Sequence, residues 1–178
     1  MMARKSFATA ILAATAAFAI TVSVRAGGDK VAFPPDFDKA LMYTMVDRAD
    51  LKEYRELFVM PASALDAAKK GEPLPSGTVI TIVQYKAQVD AQGNPVKDAD
   101  GRFIKGDLIG YGVMEKRAGW GAEYPPEIRN GEWEYQAFTA DRKVNEKANL
   151  TGCFQCHKPL PSSQDFVFSY EKMKAAAK

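Results

Sequence analysis

Between residues 50 and 140 the chain alternates short apolar runs with turn residues, and the runs read as strands. Tyr54 to Met60 is apolar and β-prone, and Thr78 to Val89, carrying Val79, Ile80, Ile82, Val83 and Tyr85, is the strongest strand signal. Asp107 to Lys116 is its expected partner across a polar hairpin loop, Ala91 to Gly101, which holds Gly93-Asn94-Pro95 and Asp98-Ala99-Asp100-Gly101. Glu132 to Thr139 places Trp133, Tyr135 and Ala137 on alternate positions, the period of a strand with one buried face. Helical signals are fewer. Asp36 or Asp38 can cap a short helix through Leu41. Pro61 to Gly71 has Pro in the first turn, alanines within, Lys69 and Lys70 in the last turn and Gly71 as terminator. The tail from Glu171 to Lys178 favours helix. Trp120 to Gly131, with Pro125-Pro126, reads as a long loop. The expected fold class is therefore α+β, rich in β. Trp120, Tyr124, Trp133 and Tyr135 can line a pocket or a dimer interface, although aromatic residues on strands more often belong to the core.

Residues 1–26 break this pattern. Arg4 and Lys5 precede an apolar, alanine-rich stretch from Phe7 to Val22, and Val24-Arg25-Ala26 offers small residues for cleavage. This is the layout of a secretory signal peptide. The apolar run is shorter than the roughly 20 residues a bilayer helix needs. Cleavage near Ala26 is expected, leaving 27–178 as one exported, periplasmic domain with no membrane segment. Losing Arg4, Lys5 and Arg25 leaves 21 basic against 22 acidic residues, a net charge of −1. No basic stripe survives to suggest nucleic acid.

The remaining chemistry is concentrated in Thr151-Gly152-Cys153-Phe154-Gln155-Cys156-His157, which holds both cysteines and the one histidine of the chain. C-x-x-C-H is the attachment pattern of haem c: two thioethers to the porphyrin and an adjacent imidazole as the proximal iron ligand. Residues three apart on a helical turn share a face, so both sulfurs can reach one ring edge. A thiol–disulfide centre would sit in a βαβ setting, which is missing before this motif. A structural zinc site would want four Cys or His ligands, and the chain has three. The Asn149-Leu150-Thr151 sequon carries no weight beside it. Soluble electron carriers usually place the motif near the N-terminus with an axial methionine far downstream, whereas here 21 residues follow His157. A four-helix bundle needs long periodic helices that this Pro- and Gly-punctuated chain lacks.

Pro75-Ser76-Gly77-Thr78-Val79-Ile80, Lys105-Gly106-Asp107-Leu108-Ile109-Gly110, Gly131-Glu132-Trp133 and the late C-x-x-C-H followed by Asp165-Phe166-Val167-Phe168 resemble the cytochrome P-460 family, which includes cytochrome c′-beta. The resemblance covers nearly all of 27–178. It implies a curved antiparallel sheet with flanking helices, usually a homodimer, and a five-coordinate haem c. Members either oxidise hydroxylamine, with a lysine cross-linked to the haem, or bind nitric oxide in an apolar distal pocket. The cross-linking lysine is expected five residues past the glycine of Gly-Thr-Val; counted from Gly77 that position is Ile82. Lys86 lies four residues further along the same strand face and fills the role under a shifted alignment. The distal acid falls on Gly112, and Arg55 matches the distal arginine.

With His157 as the only histidine, bis-histidine ligation within one chain is excluded. A sixth ligand would come from Met42, Met45, Met60, Met114 or Met173, residue types that more often fill cores, from a lysine, or from water. The expectation is a periplasmic monohaem cytochrome with cofactor-binding Cys153, Cys156 and His157, the last also ligating iron. Arg55 and Lys86 are the candidate distal or cross-linking residues. It would bind nitric oxide or process small nitrogen oxides and exchange electrons with a periplasmic redox partner. The alternatives are a hydroxylamine-oxidising enzyme with Lys86 cross-linked, and a simple electron carrier.

Overall fold

The computed structural model describes residues 30–176, so the expected signal peptide lies outside the described residues. Five strands, β1 (Leu41–Arg48), β2 (Glu53–Met60), β3 (Val79–Ala87), β4 (Lys105–Lys116) and β5 (Trp133–Thr139), form one antiparallel sheet in sequence order. Three helices, α1 (Ser63–Lys70), α2 (Leu150–His157) and α3 (Tyr170–Ala176), complete the α+β fold. Strands β2 to β5 and helices α1 and α3 lie within a few residues of their expected places. Gly71 ends α1 in the left-handed region at φ 75°, its N–H reaching the carbonyls of Ala67 and Ala68, a conformation that costs glycine little.

One expectation fails. Phe37–Lys39 is a single 3₁₀ turn and not a helix through Leu41, and the Asp36 side chain does not cap it. The Asp36 carboxylate accepts from Lys39 Nζ instead, at 2.8 Å. Leu41 already opens β1, an edge strand whose pairing with β2 slips between Met42 and Thr44. Among the described residues no helix is long and apolar enough to cross a membrane.

The sheet separates two apolar clusters. On one face Val31, Val83, Tyr111, Val113 and Phe138 are buried, with Phe33, Phe37 and Phe58 packed against them. On the other, Leu57, Val59, Ile80, Met114, Trp133 and Tyr135 meet Phe154 of α2, Ala64 and Ala68 of α1 and Met173 of α3. Helix α2 packs on β5, α3 on β1, and α1 on both β2 and α3. The second face is where the site lies.

Candidate functional site

Helix α2 is short, with Pro159 and Pro161 just beyond its end preventing continuation. Asn149, the sequon asparagine, is its N-cap: the side-chain oxygen accepts from Gly152 N at 3.3 Å and so satisfies one of the first-turn donors. Asn130 ties the helix to the 120–131 loop through Nδ2, donating to the Phe154 carbonyl at 3.0 Å. Lys158, just past the helix, donates to the Arg129 carbonyl at 2.9 Å. Phe154, fully buried, meets Tyr124 and Tyr135 edge-on at 4.9 and 4.8 Å. With Phe154 anchored inward, Cys153, Cys156 and His157 line an adjacent cavity of about 860 Å³. That is the size range of small-molecule and cofactor sites, roughly 300–1,000 Å³.

The cavity floor is the sheet, and strand register orders it in rows. Ile80, Met114 and Tyr135 are successive cross-strand partners, as are Leu57, Ile82, Gly112 and Ala137, and then Val46, Arg55 and Gln84. All of these line the cavity. A Cβ built at Gly112 would meet no atom within 4 Å, so the smallest side chain of the floor faces open space. Arg55 and Gln84 make the Val46 row the one with charge and amide side chains. Arg55 is held by Glu53, whose Oε2 accepts from Arg55 Nε at 2.8 Å and Nη2 at 2.6 Å, and its side chain is 15% exposed. Arg48 and Lys172 also line the space.

His157 is oriented before anything binds. Its Nδ1 lies 2.7 Å from the Phe166 carbonyl; a carbonyl only accepts, so Nδ1 carries the proton and Nε2 keeps its lone pair for a metal. The ring lies between Tyr135 and Phe168, each 5.0 Å away. Burial lowers the His157 pKa, opposed by the bond to Phe166, and this favours the neutral imidazole a metal requires. Burial raises the Cys153 thiol, with Cys156 adding to the effect. Both cysteines are unpaired, Cys156 exposed and Cys153 half-buried.

The carbonyl on His157 belongs to an unusual turn. Asp165 and Phe166 are consecutive non-glycine residues in the left-handed region, at φ 50° and 57°, a conformation costing roughly 1–3 kcal/mol per residue. The Asp165 carboxylate accepts from Lys116 Nζ at 2.8 Å and from Leu74 N at 2.9 Å. Trp133 Nε1 donates to the Asp165 carbonyl at 2.8 Å. None of these partners was apparent from the sequence, which marks Asp165 only as part of a resemblance.

The structure thus gathers Cys153, Cys156, His157 and Arg55 at one cavity. Lys86 does not join them. It is exposed, pairs with Glu53 at the strand end, and is absent from the lining. Ile82 and Gly112 stand opposite each other on the floor. Of the four aromatics, Tyr124, Trp133 and Tyr135 are core residues, Tyr135 also lining the cavity, while Trp120 packs on the opposite face.

The donor set, two thiols and an imidazole with its Nε2 free, fits a haem at this cavity wall. Phe168, 61% exposed, is an apolar lining ring of the kind a bound macrocycle would cover. No curated protein matches the chain. The Cytochrome P460 family model matches residues 34–169, most of the described chain and all of the site apart from Lys172, and the chain belongs to this family of haem-binding cytochromes.

Proposed function

We propose that this is a monohaem c-type cytochrome that binds nitric oxide, or processes a small nitrogen oxide, at a five-coordinate iron. Cys153 and Cys156 would hold the porphyrin by thioethers and His157 Nε2 would ligate the iron. Bound haem supplies an iron centre that takes a small neutral ligand and exchanges single electrons. The chain's own residues do the rest. The Phe166 carbonyl holds the His157 proton on Nδ1, and Leu57, Ile82 and Ala137 keep water from the open side. Arg55, fixed by Glu53, offers its remaining N–H groups to a polar ligand atom.

The observation that carries this reading is the pairing of Ile82 with Gly112 on the cavity floor. These are the positions where the resemblance expects the lysine and the acid of the hydroxylamine-oxidising enzyme. An aliphatic side chain and open space stand there instead, and a proton-abstracting base must lie within hydrogen-bond reach of its substrate. Of the candidate methionines only Met114 lines the cavity, where it packs with Trp133 and Tyr135 in the core cluster. Export to the periplasm with cleavage near Ala26, a homodimer and a periplasmic redox partner remain part of the proposal.

Ferric, ferrous and nitric-oxide-treated ferrous absorption spectra, with the alkaline pyridine assay for thioether haem, test it. High-spin spectra that change with nitric oxide are expected. A low-spin ferric spectrum with a methionine–iron charge-transfer band would overturn the open-site reading. Colourless protein with two free thiols, from a host able to attach haem c, would overturn the haem assignment itself.

A further inference from the structure

We infer that the buried Lys116–Asp165 ion pair is a positioning device for His157, acting through the Phe166 carbonyl; this rests on His157 being the iron ligand. The carbonyl that accepts from Nδ1 lies one residue beyond Asp165, and every anchor of that turn comes from a different part of the fold. Lys116 ends β4 and donates both to Asp165 and, at 2.9 Å, to the Leu74 carbonyl. Leu74 returns its own N–H to Asp165 Oδ2. Trp133 opens β5 and takes the Asp165 carbonyl. Gly131 makes room for the Phe166 ring: a Cβ there would stand 3.3 Å from Phe166 Cε2.

Two left-handed non-glycine residues in a row persist only where their surroundings over-determine them. Here the surroundings are two strand ends and the backbone of Leu74, so sheet rigidity is transmitted to the imidazole. Stability alone does not account for the pair. Lys116 and Asp165 are 8% and 6% exposed, and buried ion pairs are often replaced by apolar groups without loss of stability. What such a pair does supply is geometry, and the acceptor on a ligating imidazole governs both its orientation and its basicity.

The test uses the haem-loaded protein. Asp165→Asn keeps an oxygen for Leu74 N–H but removes the charge facing Lys116, and Lys116→Gln removes the other half. In both, the iron–His157 stretching band of the ferrous protein, read by resonance Raman, moves to lower frequency. Deuterium exchange at His157 Nδ1 speeds up relative to the wild type, because the acceptor that holds its proton is no longer fixed. Lys116→Arg, which keeps the charge, retains the wild-type band. An unmoved band and unchanged exchange in whichever charge-removing variant folds, even if that variant is less stable, overturns the inference. A wild-type protein lacking the band altogether signals instead that the five-coordinate reading has failed, and the exchange rate then decides the positioning role on its own.

Discussion

The two faces of the sheet come from the same five strands and are closed in opposite ways. On the face away from the site, rings fill the space: Phe33 meets Tyr111 at 5.0 Å and Phe138 at 5.4 Å, and Phe37 meets Phe58 at 5.1 Å, all edge to face. On the site face the neighbours of those rings are small. Gly112 follows Tyr111, and Ala137 precedes Phe138. Side chains alternate between faces along a strand. Where Gly112 pairs with Ala137, β4 and β5 therefore present almost nothing to the site face, while the adjoining Tyr111 and Phe138 fill the other. A cavity made this way needs no strain or gap in the sheet. The ring-filled face keeps the strands in register while the small residues leave room.

Removing the two thiols breaks this comparison most completely. Cys153→Ala/Cys156→Ala should abolish all attached haem, measured as colour retained after acid–acetone extraction, while the ring-filled face leaves the sheet folded. Haem that stays attached would revive a cross-link from another side chain. Phe138→Ala should do the reverse. It removes a ring that is 4% exposed and should cost about 3–5 kcal/mol in denaturant unfolding, with the nitric oxide spectrum unchanged. A smaller effect comes from Gly112→Leu. Its side chain would enter the space that the Gly112 position faces, weakening nitric oxide binding about tenfold, near 1.4 kcal/mol. Unfolding should show no loss of stability, with a gain of up to about 1 kcal/mol, because glycine inside a strand is itself unfavourable. Unchanged affinity would mean that the ligand does not bind over this row of the floor.

Legibility in the sequence follows the same division. Strands β2 to β5 were readable as short apolar, β-branched and aromatic runs because both of their faces meet packed clusters, and β5 also shows the alternation of Trp133, Tyr135 and Ala137. Strand β1 was not. It is a sheet edge in which Leu41, Met42 and Met45 are 45%, 51% and 38% exposed, and its bulge interrupts the alternation. Val46 and Arg48 were missed as lining residues along with it. The donor set was readable because Cys153, Cys156 and His157 are adjacent in the chain. The clamp behind His157 was not, since Lys116 and Asp165 are distant in sequence and a lysine ending a strand ordinarily signals solvent. Arg55 was recoverable through position alone, and only the structure shows that Glu53 immobilises it.

Lys86 gives the mildest and most diagnostic test. Counting by twos from Ile80 places it on the cavity face, beyond Ile82 and Gln84. Parity is not depth, however: β3 pairing with β4 shifts between Tyr85 and Ala87, and Lys86 emerges exposed past the end of the cavity. Lys86→Ala should therefore leave the haem spectrum and nitric oxide affinity as they are and change stability by no more than about 0.5 kcal/mol, as for an ordinary surface substitution. Loss of an absorption band in this variant would mean that the lysine reaches the porphyrin. That would require the end of β3 to turn inward by a register step, and the open site face would then be closed by a covalent bond where the other face is closed by rings.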